Sequence, residues 1–186
     1  MDALFVSTGI VALAEIGDKT QLLAIVLAAK YRQPLPIILG ILAATLANHA
    51  LAAWAGVLIA GLLTGQTFQI VVGTAFIAMA GWALIPDAAD DEAGQRNAGG
   101  VFLTTLIAFF FVEMGDKTQV ATALLGARFQ DVVLVTAGTT LGMMLANIPA
   151  VVMGERITRV VPLNVVRVVA ALVFAAIGIW IVVAAL

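Results

Sequence analysis

The octapeptide AEIGDKTQ at residues 14–21 returns as VEMGDKTQ at residues 112–119. Each copy carries two acids and a lysine, and each lies inside an apolar run long enough to cross a lipid bilayer. Burying that charge is expensive, so writing it twice needs a physical reason.

Around the two motifs the chain is strongly apolar. Of 186 residues, 63% are hydrophobic and 11% charged, and the mean hydropathy is +1.13. A soluble domain carries about a quarter charged residues, so this is the composition of an integral membrane protein. The net charge is −2, and no basic patch suggests a nucleic-acid partner. The absence of cysteine excludes disulfides and thiolate metal sites. The amino-terminal run MDALFVSTGIVALAE lacks the basic region of a signal peptide and is expected to stay as a transmembrane segment.

A bilayer core takes about 20 mostly apolar residues per helix. Segments of that kind fall at 3–29, 36–60, 67–86, 101–127, 132–154 and 163–186, predicting an all-α protein with six transmembrane helices. The breaks KYRQPLP, GLLTGQT, PDAADDEAGQRNAGG, RFQD and ERITRVVPLN hold the turn formers and most remaining charges. A β-barrel is disfavoured, because the runs are continuously apolar and lack period-two alternation.

The repeat extends beyond the motifs. A shift of 98 residues places Glu15 on Glu113, Asp18 on Asp116, Lys30 on Arg128, Gly40 on Gly138, Phe76 on Phe174 and Trp82 on Trp180. One further residue of shift brings the LAN ending at Asn48 onto the LAN ending at Asn147. The chain thus divides into a three-helix repeat at 1–86, an acidic linker at 87–98 and a second three-helix repeat at 99–186. An odd number of helices per repeat makes the two copies enter the membrane from opposite sides, as inverted repeats. Lys30, Arg32, Arg96, Arg156, Arg159 and Arg167 fall on one face and Arg128 alone on the other. The positive-inside rule then makes loops 1–2, 3–4 and 5–6 cytoplasmic and puts both termini outside.

In an unbroken helix Glu15, Asp18 and Lys19 share one narrow face, and Glu113, Asp116 and Lys117 repeat it. Gln21 and Gln119 extend that face, whereas Thr20 and Thr118 point away from it. Gly17 and Gly115 are the residues most able to let the helix unwind and turn carbonyls inward. Each ionised group at mid-bilayer costs roughly 2.5–3.5 kcal/mol. Four carboxylates against two lysines leave a formal charge of −2 to offset. A divalent cation held between the copies neutralises it, with Glu15, Asp18, Glu113 and Asp116 as its ligands. Oxygen donors suit hard ions such as Mn²⁺, Ca²⁺ or Mg²⁺. Zn²⁺ or Cu⁺ would want cysteine or clustered histidine, and His49 is the only histidine. Buried carboxylates that lose protons when a cation binds, and regain them when it leaves, meet the requirement for cation/proton exchange.

Other features have plainer readings. Lys19 and Lys117 either gate their carboxylates or snorkel and pair. Asn48 and Asn147 either orient or ligate at the site, or bond helix to helix. His49, with Ile148 in the matching stretch, is expected to be a packing residue rather than a proton relay. Export of a cationic amino acid is an alternative transport reading, since paired carboxylates also bind ammonium groups. An intramembrane aspartyl protease is disfavoured, because lysines beside the aspartates oppose a shared proton. A passive channel has less use for two matched half-sites.

The two motifs EIGDKT (15–20) and EMGDKT (113–118), one in each half, resemble the Glu-x-Gly-Asp-Lys/Arg-Ser/Thr family of membrane cation/proton exchangers. That family includes bacterial manganese exporters and eukaryotic Golgi manganese/calcium transporters. The resemblance covers essentially the whole chain. It implies Mn²⁺ or Ca²⁺ moved out of the cytosol against protons, with Glu15, Asp18, Glu113 and Asp116 as the binding site. Thr20, Gln21, Thr118 and Gln119 match the motif and its following glutamine in less defined roles. The compact length is similar to the prokaryotic branch, implying a bacterial inner membrane. The expected partners are the divalent cation, protons and the lipid bilayer, with no cofactor, no nucleic acid and an oligomer open.

Overall fold

The computed structural model describes residues 1–62, 65–85, 99–154 and 163–186. The acidic linker and the loop residues Arg96, Arg156 and Arg159 lie outside the described residues. All regular structure among those described is helical: α1 (Asp2–Glu15), α2 (Lys19–Tyr31), α3 (Pro34–Leu62), α4 (Gly65–Ala83), α5 (Val101–Glu113), α6 (Lys117–Phe129), α7 (Val132–Met153) and α8 (Leu163–Ala185).

Among the described residues four helices, α3, α4, α7 and nearly all of α8, are long and apolar enough to cross a membrane. They match four of the expected segments closely. The other two, expected as continuous helices at 3–29 and 101–127, are each a pair of half-helices meeting at the Gly-Asp of the motif. The cause is local. Gly17 and Gly115 take φ of +83° and +80°, the left-handed region that costs a residue with a Cβ about 1–2 kcal/mol. Ile16 and Met114 before them are extended, with ψ of 114° and 117°. Gln21 and Gln119 then stabilise the break: their side-chain oxygens accept from the Gly17 and Gly115 amides at 2.9 and 2.6 Å.

Burial is arranged for an apolar surround. Leu35, Leu58, Val133, Leu145, Val152 and Trp180 stand exposed, while Glu15, Gln21, Asn48, Glu113 and Asn147 are buried. Polar groups inside and aliphatic groups outside is the distribution a bilayer demands.

Small residues let the helices approach closely. A Cβ on Gly40 would meet Thr105 and the Phe102 carbonyl, seating α3 against α5; one on Gly138 would meet Ser7 and the Leu4 carbonyl, seating α7 against α1. These are repeat counterparts making the same contact twice. α3 also packs against α7, and α4 against α8. In the second pair Phe76 and Phe174, equivalent positions of the two copies, meet with ring centroids 6.2 Å apart. The copies differ in one respect. α6 lies firmly against α3, whereas its counterpart α2 packs less closely on α7.

Candidate functional site

The helix breaks decide where the motif residues go. Glu15 and Glu113 are the last residues of α1 and α5, and Asp18 and Asp116 are the N-caps of α2 and α6. Each motif therefore places one acid at a helix C-terminus and one at a helix N-terminus. The N-terminal dipole favours the aspartates, and Asp116 Oδ1 accepts from the Lys117 amide at 2.6 Å. A glutamate among the unpaired carbonyls of a helix C-terminus instead calls for positive charge or a proton. The four acids are 0–7% exposed.

Several contacts among the described residues join the copies. The Thr118 hydroxyl, from the second motif, donates to Glu15 Oε1 of the first. Lys19 Nζ, from the first motif, lies 3.3 Å from Asp116 Oδ2 of the second. Gln21 Nε2 donates to the Ala146 carbonyl of α7 at 3.1 Å. Thr20 also donates to Glu15, at 2.5 Å on Oε2. These positions correct the single-face arrangement expected of an unbroken helix. The threonines turn inward to the glutamate rather than away, and the glutamines hold the break rather than extending an acidic face. The left-handed glycine rotates everything after it.

Asn48 and Asn147 are both wholly buried. Asn48 Nδ2 donates to the Phe110 carbonyl of α5 at 2.9 Å, and Asn147 Nδ2 donates within α7 to the Met143 carbonyl at 3.1 Å. Among the described residues their amide oxygens have no hydrogen-bond partner, and neither has either oxygen of Glu113. Asn147 stands beside Glu15, and Glu113 lies within electrostatic reach of Glu15, Asp116 and Lys19. Lys117 Nζ donates to the Ile85 carbonyl at 2.5 Å. Among the described residues, no three His, Cys, Asp or Glu side chains converge closely enough to hold a metal alone. His49 is buried, with neither ring nitrogen hydrogen-bonded among the described residues.

One further residue borders the site. Arg167 of α8 lines a cavity of about 20 Å³ with Asp18, Lys117 and Gly17, at the end where α4 finishes. That volume suits a single water or small ion. No sequence signal marked Arg167 for this place, since a shift of 98 sets it against Gln69.

Buried acids from two matched motifs are thus bridged hydroxyl to carboxylate and lysine to carboxylate, an arrangement of oxygen donors able to accept a cation. Comparison with known families agrees: the divalent cation/proton antiporter GDT1 family matches residues 3–91 and 101–186. The chain belongs to that family. A relative from Vibrio cholerae serotype O1, named "Putative manganese exporter", is 51% identical over 175 residues, covering 94% of this chain and 87% of the relative. No solved structure matches the chain. Membership of the GDT1 family makes the protein a membrane transporter of cations rather than an enzyme, which sets aside the protease reading.

Proposed function

We propose that the chain exports Mn²⁺ from the cytosol of a bacterial cell in exchange for protons, by alternating access around the two motifs. Each broken pair, α1–α2 and α5–α6, serves as one crossing, so that halves 1–86 and 99–186 form two inverted three-helix repeats. Both termini lie outside, and the face bearing Lys30, Arg32 and Arg167 is cytoplasmic, following the positive-inside rule.

The observation that carries this reading is the cross-repeat bond from Thr118 to Glu15 beside a fully buried Glu113 whose two oxygens accept nothing. Buried acceptors without donors are costly, and a hard cation is the partner they lack. Within the motifs four carboxylates outnumber two lysines, so a divalent ion meets a net negative site even with Arg167 at its border. Because the acids do not close a shell by themselves, the Asn48 and Asn147 oxygens and the end carbonyls of α1 and α5 complete the coordination. Glu15 and Glu113 carry the counter-transported protons.

Uptake into inside-out vesicles tests the proposal. An acid-inside gradient should drive Mn²⁺ inward, and collapsing it should stop uptake. Glu15→Gln and Glu113→Gln should each remove at least 90% of the rate, a loss of about 1.4 kcal/mol or more in transition-state terms. Ca²⁺ uses the same oxygen donors and is measured in parallel. Normal transport by either variant would reject the site.

A further inference from the structure

The matched motifs share a backbone but not their hydrogen bonds. Around the breaks, φ and ψ are −80° and 167° at Asp18 against −79° and 167° at Asp116. Ile16 and Met114 agree as closely, at −67° and 114° against −68° and 117°. Yet Glu15 accepts from both motif threonines, Thr20 of its own copy and Thr118 of the other. Glu113 accepts from neither, and both its oxygens are buried without a donor. The hydroxyls that could satisfy one glutamate are both committed to its repeat counterpart.

Helix packing is skewed in the same sense. A Cβ on Gly56 of α3 would overlap the Ala123 carbonyl of α6, and one on Gly126 of α6 would overlap the Ala53 carbonyl of α3. Ala53 is fully buried in consequence. Ala28 of α2, the counterpart of Gly126, is only partly buried. The α3–α6 interface is therefore shut and its repeat equivalent, α2–α7, looser. For a protein made of two like halves, the natural alternative has the halves exchanged, with α2 closing on α7 less tightly than α6 on α3, because Ala28 carries the Cβ that Gly126 lacks.

We propose that Thr20 and Thr118 act as a donor pair that passes between Glu15 and Glu113 as the transporter changes state. In the state described, the pair caps Glu15 and leaves Glu113 bare. In the alternative state it caps Glu113 and leaves Glu15 bare. The threonines are positioning residues: they set which glutamate presents free oxygens on which side. The exchange of hydrogen bonds rests on the inverted repeats and alternating access of the reading above, but not on the ion it assigns.

The chain has no cysteine, so single thiols can report the state without a background to remove. With Ala28→Cys and Ala53→Cys introduced separately, a small thiol reagent should label position 28 quickly and position 53 slowly. Glu15→Ala removes the acceptor of the described state. Two hydroxyl-to-carboxylate bonds bias an equilibrium by more than about tenfold, so labelling at 53 should rise by at least that factor and labelling at 28 should fall. Glu113→Ala should leave position 53 protected. On a Thr20→Val/Thr118→Val background the Glu15→Ala effect should vanish, and serine at both positions should restore it. Should Glu15→Ala not fold, Glu15→Leu takes its place, with labelling read only on protein that elutes and melts like its parent. An effect of equal size with both valines present, or no effect at all, overturns the proposal. Labelling needs no Mn²⁺. Absence of Mn²⁺ exchange with this thiol pattern intact would sink only the assigned function.

Discussion

Lys19 of the first motif reaches across to Asp116 of the second, with Nζ 3.3 Å from Oδ2, so the positive charge of one copy neutralises an acid of the other. The aspartate side chain is 3% exposed and the lysine 21%. Pairing across the repeat makes the charges a shared property of the two halves, and any relative movement of the halves must work through it. Lys19→Gln leaves a buried carboxylate without its counter-ion. Losing one partner of a buried pair costs about 3–5 kcal/mol, and the lysine's residual solvent contact puts this case at the lower end. Denaturation in detergent should show that loss. Lys19→Gln combined with Asp116→Asn should recover most of it, since no isolated charge remains.

Gly115 separates backbone strain from crowding. A Cβ there meets nothing within 4 Å, but φ is +80°. Gly115→Ala should therefore cost only the left-handed conformation, about 1–2 kcal/mol. Gly115→Asn should cost less, because asparagine tolerates that region better. Gly56→Ala is the opposite case. It drives a methyl group into the Ala123 carbonyl and should push α6 off α3, exposing a thiol placed at position 53. Melting curves for the first pair and labelling for the last distinguish the two causes.

Four of the helices were legible because hydropathy is a local property. The expected segment 132–154 and the observed Val132–Met153 differ by one residue. Gly17 and Gly115 were visible as weak points too. Where the threonines would point was not, because angular arithmetic along a helix holds only while the helix is unbroken. The Lys19–Asp116 pair and the place of Arg167 depend on how helices from opposite halves meet, which no spacing within one half encodes. Nor could sequence show that Glu15 is capped and Glu113 bare, because EIGDKT and EMGDKT differ only at Ile16 and Met114.

His49 tests the plainer reading of a buried polar residue. Neither ring nitrogen has a hydrogen bond to lose, and the repeat counterpart of the neighbouring Asn48 is followed by Ile148. His49→Leu should hold or raise the melting temperature, since replacing an unsatisfied polar group removes a penalty of about 1–3 kcal/mol. Proton-coupled Mn²⁺ uptake should persist at the wild-type rate across the pH range. A selective loss of proton coupling, with Mn²⁺ binding retained, would instead make His49 a relay.

Asn48 has two ends with different jobs. Its Nδ2 ties α3 to α5 through the Phe110 carbonyl, while its Oδ1 is buried without a donor. Asn48→Ala should lose about 1 kcal/mol of stability from the missing hydrogen bond. If the oxygen also serves the ion, the variant should lose ligand stabilisation separately. Mn²⁺ at one hundred times its Kd raises the stability of a binding-competent protein by about 2.7 kcal/mol. That increment should be present in wild type, reduced in Asn48→Ala, and absent in Glu113→Gln, whose carboxylate is the bare one in this state. A full Mn²⁺-induced shift in Glu113→Gln would show that the ion binds elsewhere, whatever the effect of the substitution on transport.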